Sequence, residues 1–199
     1  MVDTNPGNDA GVSKHVPVMC KEEYPLGKQG DIIIRRAVKE DARALLDYLK
    51  IVGGETENLA MDGRGIGDDV EAEQTFLEAK HETMNSIQLL AIDGERIVGC
   101  LSVDTSSRKK IRHRGEVGLS VIKDYWGRGI GTSLLGTMLV WARTPAAGLR
   151  KLDLTVRADN KRAISLYRHF GFAEEGHVSR LFYVDGQFID GIVMGLLID

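Results

Sequence analysis

A glycine-rich turn between a predicted strand and an amphipathic helical pattern is the strongest chemical feature of the sequence. The strand ends at Ile122, and the turn contains Gly127, Gly129 and Gly131. Backbone N–H groups at a helix start have no partner within the helix, and glycines let an anion approach without a Cβ clash. The pattern therefore indicates a site for a phosphorylated ligand, although a plain strand-to-helix turn also explains the motif taken alone.

The spacing in this region disfavours two common phosphate loops. Gly131 and Gly136 are separated as in a Walker A loop, but Thr137 stands where that loop requires lysine. The dinucleotide fingerprint fails as well, because Leu134 occupies the position of its third glycine. A kinase, an ATPase and a nicotinamide or flavin enzyme are therefore not expected.

A second motif directly follows the predicted strand Lys151–Val156. At 3.6 residues per turn, Asn160, Ala163 and Tyr167 fall on one face of a short helix. Gly171 lies just beyond, where a glycine commonly ends a helix. Taken alone, this pattern is also explained by a capping asparagine and a core tyrosine.

Together the two motifs resemble the signature of the GNAT superfamily of acetyl-CoA-dependent N-acetyltransferases. That signature is a Q/R-x-x-G-x-G/A turn followed by N-x-x-A-x-x-L-Y-x-x-x-G-F. The chain matches the second part throughout, from Asn160 to Phe172, and the end of the first part at Gly129–Gly131. Trp126 departs from the pattern by replacing the opening glutamine or arginine. The resemblance covers residues 31–198.

The resemblance implies that acetyl-CoA binds as the acetyl donor. Main-chain groups of Leu119 and Val121 are implied to hydrogen-bond the pantetheine arm, along a strand that is splayed from its neighbour. The implied cofactor-binding set is completed by residues of the turn and of the short helix: Gly127, Arg128, Gly129, Ile130, Gly131, Thr132, Asn160 and Ala163.

Acetyl transfer to a primary amine needs a proton acceptor, because an alkylamine with a pKa of about 10.4 is almost wholly protonated at neutral pH. Strand alternation places Glu116 on one face with Gly118 and Ser120. Glu116 resembles the glutamate that some family members use as this base. A water relay is the alternative base, and an ion pair with Arg112 or Arg114 is the alternative role for Glu116.

Tyr167 resembles the family's general acid, a phenol that protonates the departing thiolate. Main-chain amides of the splayed strand are implied to stabilise the negative charge that develops on the carbonyl oxygen. Tyr167 and Glu116 are therefore the predicted catalytic residues.

The elements that must position these groups are visible as periodic segments. They predict a chain of the α/β (α+β) class without internal repeats. The predicted strands cover residues 32–38, 87–92, 96–104, 115–122, 151–156, 172–184 and 188–198, and the predicted helices cover 41–52, 70–85, 130–142 and 160–169. The resemblance implies a mixed, mostly antiparallel sheet of six or seven strands flanked by about four helices. Residues 1–30 are expected to form a mobile N-terminal extension, and 31–199 the acetyltransferase domain.

The composition is that of a soluble globular protein, with 43% hydrophobic and 28% charged residues and a net charge of −3. Nucleic-acid binding is not expected at this charge. No apolar run approaches the roughly 20 residues of a membrane span, and no signal peptide is recognisable, so a cytoplasmic protein is expected. Cys20 and Cys100 are far apart, and the histidines lack metal-ligand spacing. Neither a disulfide framework nor a metal site is expected.

Charge is unevenly distributed along the chain. Seven acidic residues and one basic residue lie between Glu55 and Glu73. This segment predicts an acidic rim that attracts a cationic acceptor such as a polyamine or a lysine-bearing peptide, and a solvated helix face is an equal alternative. The basic run from Arg108 to Arg114 is interpreted as an exposed hairpin tip.

The predicted function is direct acetyl transfer to a primary amine of a small molecule or peptide. Two alternatives remain open, an acyl-CoA-binding sensor without turnover and a protein acetyltransferase acting on N-termini or lysines. A homodimer is also considered, because Phe182, Tyr183 and Phe188 of the final strands could form an interface or fill the core.

Overall fold

A computed structural model describes Tyr24–Pro25 and residues 32–199 of the 199-residue chain. The predicted N-terminal extension, residues 1–30, lies outside the described residues apart from the two-residue strand β1 (Tyr24–Pro25). Cys20 also lies outside them, and Cys100 is a buried free thiol. None of the helices in these ranges is both long and apolar enough to cross a membrane.

Strands and helices follow the predicted order. They are β2 (Ile33–Arg36), α1 (Ala42–Glu55), α2 (Val70–Glu82), β3 (Ile87–Asp93), β4 (Arg96–Thr105), β5 (Arg114–Val121), α3 (Ile130–Ala142), β6 (Lys151–Arg157), α4 (Lys161–His169), β7 (Ala173–Val184) and β8 (Gln187–Leu197). The sheet order is β1-β2-β3-β4-β5-β6-β8-β7, and β5–β6 is its parallel pair. Apart from the two-residue β1, the sheet has seven strands and is flanked by four helices, as predicted.

The two sheet faces are covered by different helices. Apolar residues of α3 and α4, among them Leu134 and Ile164, are buried against one face. Helices α1 and α2 cover the other face, where Tyr48 and Leu77 pack in a second cluster with Leu90 of β3. Each helix buries the stripe that its 3.6-residue period creates.

Helix α1 continues to Glu55, three residues beyond its predicted end. The sequence reading of Gly53 as the start of a loop is therefore wrong. A Cβ atom on Gly53 would lie 2.2 Å from the carbonyl oxygen of Asp62. The glycine serves the close approach of the α1–α2 loop (residues 56–69) to the helix and does not end it.

Strands β5 and β6 separate after a short parallel contact. Only Arg114–Glu116 of β5 pairs with Lys151–Asp153 of β6. The rest of β5, through Val121, pairs with β4 on its other side, and β6 continues along β8. The predicted splayed pair is therefore present, and it opens a cleft beside the main chain of residues 117–121.

Candidate active site

A cavity of about 680 Å³ lies at this cleft. Its wall is formed by the end of β5, the turn into α3, helix α4 and the segment that follows α1. All of the predicted cofactor-binding residues except Arg128 line it, and so does Tyr167. The two sequence motifs therefore meet in one cavity.

The turn before α3 has the backbone of an anion cradle. Gly127 and Gly129 have φ values of 83° and 77°, a left-handed conformation that favours glycine. The first helical hydrogen bond runs from the Ser133 N–H to the Gly129 carbonyl at 3.0 Å. The N–H groups of residues 130–132 precede this bond and therefore have no helical acceptor. This helix start fits the phosphate groups of coenzyme A.

Arg128 is turned toward the surface of the turn. Its guanidinium carbon lies 4.6 Å from the ring centroid of Tyr125. The Tyr125 hydroxyl in turn donates to Asp93 at 2.8 Å. The Arg128 side chain therefore covers Tyr125 and does not line the cavity.

Trp126 has a contact that the family pattern did not indicate. Its indole N–H donates to the carbonyl oxygen of Val121 at 2.7 Å. The guanidinium of Arg162, on α4, lies 5.2 Å from the indole centroid. Both side chains line the cavity. The indole fixes the turn to the end of β5 and occupies one lone pair of the Val121 carbonyl, which has a second for a ligand.

Helix α4 places Asn160 and Tyr167 on the cavity wall. The Asn160 side chain caps the helix by accepting from the Ala163 N–H at 3.1 Å. Tyr167 is 7% exposed and contacts Phe172 edge-on, with ring centroids 5.8 Å apart. Burial raises the pKa of Tyr167 to about 12. The phenol is therefore fully protonated at neutral pH.

Glu116 is not brought into this cavity. It is exposed and lines a second cavity of about 330 Å³ together with Asp104 and Asp153. These three carboxylates are direct neighbours across β4, β5 and β6. The Arg114 Nε donates to Asp153 at 2.8 Å, so Asp153 is the carboxylate that this arginine binds.

Several carboxylates of the acidic segment are engaged within the chain. Asp62 pairs with Arg64 at 2.6 Å, and Asp68 pairs with Lys50. Asp69 caps α2 by accepting from the Ala72 N–H at 2.9 Å. The acidic rim therefore carries less free charge than the sequence suggested.

The segment after α1 supplies cavity residues that sequence analysis missed. Thr56, Asn58 and Leu59 line the cavity. The buried Arg157 at the end of β6 donates to the Glu57 carbonyl oxygen and to Asp159, which holds this segment in place. Arg157 and Glu57 are 100 positions apart, so no local sequence pattern signals their contact.

The chain is similar to known proteins in fold and in sequence. An acetyltransferase of the GNAT family from Streptococcus pneumoniae superposes with a TM-score of 0.81, is 36% identical, and matches over 84% of this chain and 99% of its own. The L-amino acid N-acetyltransferase AaaT of Escherichia coli strain K12 is 31% identical over 112 residues, 54% of this chain and 65% of that protein. The spermidine N(1)-acetyltransferase of the same strain is 31% identical over 84 residues, 42% of this chain and 45% of that protein.

The matched region therefore spans less than two thirds of both of these curated relatives. The sequence profile of the acetyltransferase (GNAT) family matches residues 55–172, which include β5, the α3 turn and α4. This match confirms the resemblance found in the two motifs. The chain belongs to the acetyltransferase (GNAT) family.

Proposed function

We propose that this acetyltransferase moves an acetyl group from acetyl-CoA directly to a primary amine of a small molecule or peptide. The observation that carries the proposal is the joining of two features in one cavity. One is the glycine-shaped anion cradle at the start of α3, and the other is the protonated, buried Tyr167 on α4. The unpaired edge of β5 lies between them.

Different residues of the cleft bind different parts of acetyl-CoA. When bound, acetyl-CoA supplies an activated acetyl thioester. The N–H groups of residues 130–132 hold its phosphates, and main-chain groups of Leu119 and Val121 take up the pantetheine arm as a missing strand would. Asn160 supports this site indirectly, because its cap fixes the first turn of α4.

Glu116 and Tyr167 carry out the proton transfers. Glu116 accepts a proton from the ammonium of the acceptor, and the free amine then forms the C–N bond as the C–S bond breaks. The Tyr167 hydroxyl gives its proton to the departing sulfur and regains one from the acylated nitrogen. Glu116 precedes Leu119 by three strand positions, a distance of about 10 Å. Water must therefore relay its proton.

The acceptor is a primary amine, and the two curated relatives are named for amino acids and for spermidine. Engagement of Asp62, Asp68 and Asp69 within the chain weakens the argument for a polycation. A small monoamine is therefore the acceptor we favour.

The final strands support a proposed homodimer. The ring centroids of Tyr183 and Phe188 lie 4.9 Å apart, and the two side chains are 66% and 58% exposed, so these rings do not fill the core. Exposed apolar patches commonly mark contacts between proteins. Light scattering should give twice the 21.9 kDa chain mass, and Phe188→Glu should reduce it to that of one chain.

The function is tested by thiol release from acetyl-CoA across amino acids, polyamines, aminoglycosides and lysine peptides, with calorimetry of CoA binding alongside. Turnover with an amine supports the proposal. Binding of CoA without turnover on any member supports the sensor alternative, and absence of both overturns the site assignment. Glu116→Gln should lower turnover at neutral pH, with Glu95→Gln in the β3–β4 turn as the matched control.

A further inference from the structure

The buried Tyr48 is hydrogen-bonded to Ser120, a residue of the cavity wall. Tyr48 of α1 is 2% exposed, and its hydroxyl lies 2.9 Å from Ser120 Oγ. Ser120 lines the 680 Å³ cavity between Leu119 and Val121, the two positions proposed to receive the pantetheine arm. A hydroxyl of helix α1 is therefore linked to the proposed site of acetyl transfer.

The direction of this hydrogen bond follows from the surroundings of the two groups. A buried hydroxyl that does not donate its proton loses a hydrogen bond, which is unfavourable. Among the described residues, Ser120 is the side chain bonded to the Tyr48 hydroxyl, which also has a hydrogen bond with the Cys100 backbone. The distance alone allows either hydroxyl to donate, and we assign the donor to Tyr48 because a phenol is a stronger acid than an aliphatic alcohol.

Donation from Tyr48 leaves Ser120 Oγ with a second lone pair. Leu119 and Ser120 are consecutive strand residues, so their side chains point to opposite faces of β5. Ser120 therefore faces the side on which Glu116, the proposed base, is also located. An amine entering from that face meets the Ser120 hydroxyl next to the β5 main chain. Burial also raises the pKa of Tyr48 well above its ordinary value, which keeps the phenol a donor.

We propose that Tyr48 and Ser120 orient the acceptor amine, with Tyr48 donating to Ser120 Oγ and Ser120 Oγ accepting a hydrogen bond from the amine N–H. The inference rests on the proposed function and adds two residues to it. Ser120 contacts the acceptor, and Tyr48 is a positioning residue that acts through Ser120. The bond aligns the nitrogen lone pair with the acetyl group, so the pair should affect the acceptor and leave coenzyme A binding unchanged.

The test is a double-mutant cycle with Tyr48→Phe, Ser120→Ala and the combined variant. For an amine that the wild type acetylates, kcat/KM should fall about tenfold in Ser120→Ala and about fivefold in Tyr48→Phe. The combined variant should be no worse than Ser120→Ala, because Tyr48 acts only through Ser120. Ser120→Thr should restore most of the activity.

A matched control is available in a second hydroxyl pair. Ser86 Oγ lies 3.0 Å from Thr105 Oγ1, and neither residue lines the cavity. Ser86→Ala should leave kcat/KM unchanged. Melting temperature and calorimetric CoA affinity are measured for every variant, so that a folding defect is separated from a change at the site.

Three results would overturn the inference while leaving the proposed function intact. They are full activity of Tyr48→Phe, losses that multiply in the combined variant, and a parallel loss of CoA affinity. A wild-type chain that acetylates no amine would instead overturn both proposals.

Discussion

Burial of Tyr167 keeps its phenol protonated, as its proposed role of general acid requires. Tyr167 lies on the cavity wall, and its low exposure penalises the phenolate, so the neutral acid persists. Tyr167→Phe removes the hydroxyl and keeps the ring contact with Phe172. We expect kcat to fall about 100-fold, in the range of a lost general acid, while calorimetry shows unchanged CoA affinity. Tyr183 is an exposed tyrosine on β7, and Tyr183→Phe is the control. Equal turnover of the two variants would show that Tyr167 is not the general acid.

The raised pKa of Tyr167 predicts how activity changes at alkaline pH. In the proposed mechanism Tyr167 acts in its protonated form, and its pKa of about 12 lies above that of an ordinary tyrosine. Activity should therefore rise with pH as the acceptor amine loses its proton near about 10.4, without a fall near pH 10 from the phenol. The measurement is kcat/KM from pH 7 to 10.5, with circular dichroism to confirm that the chain stays folded. A descending limb that starts below pH 10 and is absent in Tyr167→Phe would contradict the raised pKa.

Helix α3 depends on the backbone conformation of its N-cap residue, Gly129. Gly129 has a φ of 77°, which costs a residue with a Cβ roughly 1–2 kcal/mol. Gly129→Ala should therefore weaken CoA binding at least fivefold, because the N–H groups of the cradle are displaced. Calorimetric titration with CoA measures this loss.

Gly136 of the same helix provides a matched comparison. It has ordinary helical geometry, and a Cβ there would meet nothing within 4 Å. Gly136→Ala should raise stability by about 0.5–1 kcal/mol and leave CoA binding unchanged. Equal CoA affinity of the two alanine variants would show that the cradle does not depend on Gly129.

Elements formed from neighbouring residues were predictable from the sequence, and contacts between distant segments were not. The α3 turn and α4 follow from glycine spacing and a helical period, which are local properties. The end of α1 was misplaced because Gly53 resembles a stop signal, whereas it serves packing against Asp62. Tyr48 and Ser120 are hydrogen-bonded although they are 72 positions apart, and no spacing rule connects them.

The whole molecule places its two helical layers on opposite sides of a sheet that opens between β5 and β6. The cavity needs both layers, because α3 and α4 supply the cradle and Tyr167, and the α1 layer supplies Thr56, Asn58 and Leu59. Acceptor binding should therefore depend on contacts that hold the α1–α2 loop against β6, even where those contacts lie outside the cavity.

Arg157 is the contact that tests this dependence. Its side chain is buried at the end of β6 and bonds both Asp159 and the Glu57 carbonyl oxygen. Arg157→Ala removes charged hydrogen bonds worth about 1.5–3 kcal/mol each and leaves the Glu57 carbonyl without this donor. Urea unfolding should show a loss of about 2–3 kcal/mol, and KM for the acceptor should rise more than CoA affinity falls.

Arg64→Ala is the matched control for Arg157→Ala. Arg64 pairs with Asp62 in the same loop, but its side chain is 91% exposed, so its loss should leave the free energy of unfolding nearly unchanged. If Arg64→Ala raised KM for the acceptor as much as Arg157→Ala does, the loop's own charges would govern acceptor binding. If only Arg157→Ala does so, acceptor binding depends on the tie between the α1 layer and the end of β6.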